Sequence, residues 1–233
     1  MSRSRYSQGL QRLGAERGQS LVELALFMPI FILIIAGIVE MGYFMIRYLD
    51  ILDASREAAR FGADLDPVGT AGPSGNPSYN PAYNHNSPAY SGATVDCGAT
   101  EEFYTAVACY AQDSMSEELD PDNGYDDVVI SAFTIRDGGD VCNDWRWPDR
   151  MEPPVDDEGW SYMGNQFSRF SIARVNELIP DGSPPQGLLI LEMFYQHRQA
   201  LGLPFFTVFV PRDIGIYVFT IMPNPTAGSL ECP

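Results

Sequence analysis

Lysine is absent from this chain, and all fourteen basic side chains are arginine. Thirty-one acids oppose them, for a formal net charge of −17. The balance is uneven along the chain. Residues 1–20 hold Arg3, Arg5, Arg12 and Arg17 against Glu16 alone, a net of +3, while the remainder holds ten Arg against thirty acids, a net of −20. A body this acidic repels nucleic acid and anionic lipid, which excludes a nucleic-acid binder. Histidine is scarce too. Only His85 and His197 occur, far apart and in unrelated contexts, so no metal-ligand spacing and no Cys–His dyad can be drawn. The motifs G-x-S-x-G and H-E-x-x-H and the Gly-rich phosphate loops are also missing. The chain therefore reads as a non-enzyme with no cofactor and no small-molecule substrate.

Cysteine is limited to Cys97, Cys109, Cys142 and Cys232, none in a CxxC spacing. An even number in an exported domain favours two disulfides among three possible connectivities. The preferred pairing is Cys97–Cys109, closing a short loop, with Cys142–Cys232 tying down the C-terminal tail. The acidic run D-P-D-N-G-Y-D-D supplies weak calcium candidates in Asp120, Asp122 and Asp126, but it does not follow EF-hand spacing, and a solvated acidic loop is the simpler reading.

Charge is missing where it matters most. No charged residue occurs from Leu24 to Val39, and after Glu40 the sequence Met41 to Ile46 is apolar again. Leu24–Ile46 is 23 residues, roughly 34 Å as helix and enough for one tilted membrane span. A cleaved secretory signal is shorter and ends in a small-x-small exit, which this run lacks. Pro29 lies inside it and removes one helical hydrogen bond. Arg47 and Asp50 mark the outer boundary, with Tyr43 and Tyr48 as interfacial anchors. The basic leader places the N-terminus in the cytoplasm and the acidic body outside the cytoplasmic membrane, a single-pass arrangement.

The helix is expected to continue to Ala63, because Ile51, Ala54/Ser55, Ala58 and Phe61/Gly62 recur on one face while Asp53, Arg56, Glu57 and Arg60 fall on the other. Gly62 or Asp66-Pro67 would end it. Glu23 stands at the mouth of the apolar stretch, where an unpaired carboxylate is disfavoured. Glu40 lies deeper, with Arg47 or a partner helix as candidate counter-charges.

The segment R-G-Q-S-L-V-E-L-A-L-F-M-P, followed by G-I-V-E-M-G and A-S-R-E-A-A-R-F-G-A, resembles the N-terminal module of TadE-like proteins, pilin-like proteins of the tight-adherence (Flp pilus) secretion system. The likeness spans about Glu16 to Ala63. It implies a minor pilin or pseudopilin, with Gly18 before a prepilin peptidase cut, Gln19 as the new N-terminus and Glu23 as an assembly carboxylate. Leu24 departs from the family in standing where many members carry an aromatic. Implied partners are other pilins or pseudopilins, the inner-membrane assembly platform, the prepilin peptidase and the lipid bilayer. A reading from a different class is a signal-anchored extracytoplasmic binding module that never enters a filament.

The expected domains are a basic leader at 1–18, a transmembrane and extended helix at 19–64, a Gly/Pro/Asn/Tyr-rich loop at 65–99 and an acidic head at 100–233. Within the head, Thr100–Leu119 and Asn165–Ile179 read as helices, and 137–160 reads as loop. Residues 127–136, 187–198 and 214–222 read as strands. The fold class is α+β, a pilin-like head with an antiparallel sheet of about three strands. The apolar stretch Leu203–Met222 is broken by Pro204, Pro211, Arg212 and Asp213, which argues against a second span. Its Phe205, Phe206 and Phe209 are left between capping the core, touching the bilayer and touching a partner.

Overall fold

A computed structural model describes residues 6–65, 103–145, 159–202, 207 and 210–225. Side chains are described from Leu21 onward, and not for 142–145. The first element is helix α1, Tyr6–Ala63. It begins before the expected transmembrane and extended helix at 19–64, and Pro29 lies within it without ending it. Asp64 N–H donates to the Phe61 carbonyl and Leu65 N–H to that of Gly62, a tightened last turn at the helix C-terminus. Asn224 completes the cap, its Nδ2 donating to the carbonyls of Gly62 at 3.2 Å and Leu65 at 3.0 Å.

The chain forms two compact units. One comprises Met1–Ile46 with Gln199–Val210, the other Arg47–Arg198 with Pro211–Pro233. The second unit is built on an antiparallel sheet. Its strands are β1 (Asp127–Ile135), β2 (Val141–Trp145), β3 (Trp160–Ser161), β4 (Gln186–Arg198) and β5 (Asp213–Pro223). The order is β2-β1-β4-β5, with β3 also paired to β1. Three of these strands match the expected ones; β2 lies inside the stretch read as loop, 137–160, and β3 begins at its last residue. β2 returns from β1 through Asp137-Gly138-Gly139-Asp140, where both glycines take positive φ, 108° and 102°, a conformation that a side chain resists. β5 occupies much of the apolar stretch weighed as a second span, so those residues pair in a sheet.

Both faces of β1 are covered, which is why all nine of its residues are buried. On one face lies the upper part of α1 with α2 (Phe103–Asp113). Ile51, Ala54, Ser55, Ala58, Ala59 and Gly62 are buried there while Asp53, Arg56, Glu57 and Arg60 stay exposed, the expected division of the helix. The small residues let the helix lie close. Ser55 Oγ is 2.9 Å from Thr220 Oγ1 on β5, and Phe61 stacks on Tyr110 of α2 at 4.6 Å. On the other face Phe133, Ile135, Val141, Phe170, Val175 and Ile190 form a core cluster beneath α3 (Ile172–Leu178).

Two helices are shorter than their patterns suggest. α2 ends at Asp113, not Leu119, because the Ser116 N–H leaves the helix to donate to Asp50 Oδ2 on α1. Its expected start, Thr100, lies outside the described residues. α3 begins at Ile172, capped by Ser171 Oγ accepting from Arg174 N–H, and not at Asn165. The N–H groups of Asn165 and Gln166 donate to Asp127 and that of Arg169 to Glu192, so this segment is held by buried carboxylates instead of by its own carbonyls. The Tyr79, Tyr83 and Tyr90 loop lies outside the described residues.

Candidate functional site

From Leu21 to Ile46 helix α1 shows apolar side chains on every side. Phe27, Phe31 and Ile38 are each more than 60% exposed, and Ala36 is the one buried residue of this stretch. A surface helix of a water-soluble domain keeps a polar face, and this one has none. By length and composition it is a helix able to cross a membrane. Gly18 and Gln19 lie within α1, and their side-chain environment falls outside the described residues. Gln19 and Glu23 are four residues apart, one helical turn, and therefore share a face. Glu23 is exposed at the start of the apolar stretch.

Glu40 has a different environment. Its carboxylate accepts the backbone N–H of Ala200 at 3.0 Å and that of Leu201. Arg47, the partner considered from sequence, instead donates to Ser116 Oγ at 2.7 Å and forms an ion pair with Glu117. Glu117 in turn accepts from the Tyr195 hydroxyl at 2.7 Å, and Asp50 accepts from Ser116 Oγ at 2.6 Å. Burial and the Glu117 charge push the Tyr195 phenol well above its ordinary pKa, so it serves as a donor. These contacts tie α1, just beyond its apolar stretch, to the 114–117 turn and to β4. The sequence reading missed the role of Glu40, whose only local signal was an acid in an apolar run.

Two of the three calcium candidates, Asp120 and Asp126, accept backbone N–H groups. Asp120 Oδ1 accepts from Asp122 N–H, capping the 3-10 turn Pro121–Asn123. Asp126, buried, accepts the N–H of Asp120 at 3.0 Å and of Gln196 at 2.6 Å. Asp122 is exposed. Among the described residues no group of three His, Cys, Asp or Glu side chains is placed to hold a metal ion. Cys109, buried in α2, is disulfide-bonded. Cys97, Cys232 and the side chain of Cys142 lie outside the described residues, as does His85.

Two buried carboxylates organise the far face of the sheet. Asp127 accepts from Ser161 Oγ, Met163 N–H, Asn165 N–H and Gln166 N–H. Glu192 accepts from Ser168 Oγ, Arg169 N–H and the Tyr217 hydroxyl, with the Arg169 guanidinium 3.9 Å from the Tyr217 ring centroid. Burial pushes both carboxyls above their ordinary pKa, and these hydrogen bonds oppose it. A raised folded-state pKa gives stability that is complete below the ordinary carboxylate range, about pH 4, and is lost as pH rises through the raised value. Unfolding midpoints in denaturant should therefore fall from mildly acidic to neutral pH. The general repulsion of an acidic chain has the same sign, so the discriminating variant is Glu192→Gln, expected to flatten the slope. A slope identical to that of the parent protein would contradict the role of Glu192.

Residues 18–60 match the family model described as TadE-like protein. No curated protein and no solved structure matches the chain. The match supports a protein related to pilus assembly, and the N-terminal apolar helix fits a membrane anchor.

Proposed function

We propose that the protein is a minor pilin or pseudopilin of a tight-adherence (Flp pilus) secretion system, acting in pilus biogenesis and not as an enzyme. A prepilin peptidase removes residues 1–18, leaving Gln19 as the N-terminus. The apolar half of α1 crosses the cytoplasmic membrane with the leader inside and the acidic head outside. The observation that carries this reading is the continuity of α1: one helix is apolar all round below Ile46 and buries a stripe of small residues in the head above it. A helix exposed on every side has surface to offer neighbouring copies, other pilins and an assembly platform, whereas an anchor has only to reach across the lipid.

Glu23 is assigned the register. Cleavage frees the Gln19 amine, and in a filament the carboxylate of one subunit pairs with that amine on the next. In hydrocarbon each charge alone is costly, so a pair forms only at the correct stagger. Glu23→Ala is expected to leave membrane insertion intact and to lower incorporation into pili, read by immunoblotting sheared pili against the membrane fraction. Incorporation equal to that of the parent would remove the role given to this carboxylate.

A further inference from the structure

The β4–β5 connection begins at Gln199, and from there to Pro211 it carries no charged residue: Q-A-L-G-L-P-F-F-T-V-F-V-P. Its described ends are close together, Gln199 Nε2 donating to the Val210 carbonyl at 3.2 Å. Leu201 and Val210 are 44% and 37% exposed. Two successive amides of this connection, those of Ala200 and Leu201, donate to the Glu40 carboxylate. Gly202, with φ of 53°, then turns the chain in a left-handed conformation.

Glu40 fixes the depth at which this happens. The preceding charge-free run, Leu24–Val39, and the following Met41–Ile46 are both apolar, and Arg47 lies roughly 10 Å further along the helix axis. In the membrane-anchor reading, on which this inference rests, that places Glu40 inside the outer leaflet. A carboxylate there needs donors, and irregular backbone there needs acceptors, since lipid supplies neither. Each satisfies the other. A connection that merely crossed the surface of a water-soluble head would have no reason to be uncharged and to be fastened at Ala200 and Leu201 to the outer part of an apolar helix.

We infer that the described ends of the β4–β5 connection, Ala200–Gly202 and Val210, enter the outer leaflet beside α1, with Leu201 and Val210 against acyl chains and Glu40 fastening the backbone of Ala200 and Leu201. The subunit thus meets the bilayer at two places, the apolar half of α1 and this connection.

The test uses the full chain in phosphatidylcholine vesicles whose acyl chains are brominated, with tryptophan emission as the readout above the background of the parent protein. Leu201→Trp is expected to be blue-shifted and quenched. Phe31→Trp, in the apolar helix, reports on the anchor itself. Quenching at both positions supports the inference. Quenching at Phe31→Trp without any at Leu201→Trp overturns it, placing the connection in water or on a protein partner while leaving the anchor reading intact. Quenching at neither position overturns the anchor reading and this inference with it. Adding Glu40→Ala to Leu201→Trp is expected to abolish the quenching at that position; undiminished quenching would overturn the role given to Glu40.

Discussion

Asp127→Ala is expected to destabilise the head by about 3–5 kcal/mol, a large fraction of the roughly 5–15 kcal/mol typical of domains. The carboxylate leads β1 and accepts four donors, three of them backbone N–H groups of Met163, Asn165 and Gln166. Its removal orphans all of them, at about 1–3 kcal/mol for each that water cannot reach. Met163 is fully buried, whereas Asn165 and Gln166 are half-buried and recover part of the loss from solvent. The same N–H groups hold the segment leading into α3, so the core cluster of Phe133, Phe170 and Val175 loosens with them. Denaturant titration in detergent, followed by tryptophan emission, measures the change. Asp122→Ala serves as the control. Asp122 is exposed, and its replacement is expected to cost no more than about 0.5 kcal/mol. Equal effects at the two positions would contradict the account of the buried carboxylate.

Gly62→Val is expected to cost about 1–3 kcal/mol by overpacking and to displace the end of α1. A Cβ at this position would lie 2.7 Å from Leu189 Cδ2 on β4 and 2.8 Å from Val107 Cγ2 on α2. Both are closer than side chains tolerate, and both neighbours are fully buried. The helix must lift away, and the Asn224 cap on the Gly62 carbonyl is strained with it. Gly62→Ala is a milder case, in which a gain in helix propensity of up to about 1 kcal/mol opposes the clash. Thermal unfolding of the two variants separates these effects. A valine variant as stable as the parent would mean that α1 does not approach the sheet this closely.

The sequence was legible where a pattern repeats over many residues. The amphipathic face of α1 from Ile51 to Gly62 and the long apolar strands β1, β4 and β5 follow from periodicity, since each buries a whole face. β3 is two residues long and carries no period. β2 was hidden for a different reason, the Asp-Gly-Gly-Asp turn before it having been read as part of a longer loop. Residues 165–171 have helix-like spacing but are held by Asp127 and Glu192, each on a strand more than twenty residues away in sequence. Local propensity cannot report such distant acceptors. Glu40 shows the same limit: its donors are 160 and 161 residues away. Gly18, Gln19 and Glu23 lie close together in sequence, so the proposed cut and the carboxylate one turn beyond it are read from local sequence alone.

The central claim is that α1 belongs to a processed, filament-forming subunit and not to a stand-alone anchor. Intact-mass spectrometry of the protein extracted from its native membranes tests it most directly. The account predicts a mass lacking residues 1–18, with Gln19 at the N-terminus. A chain retaining Arg3 through Gly18 would contradict it.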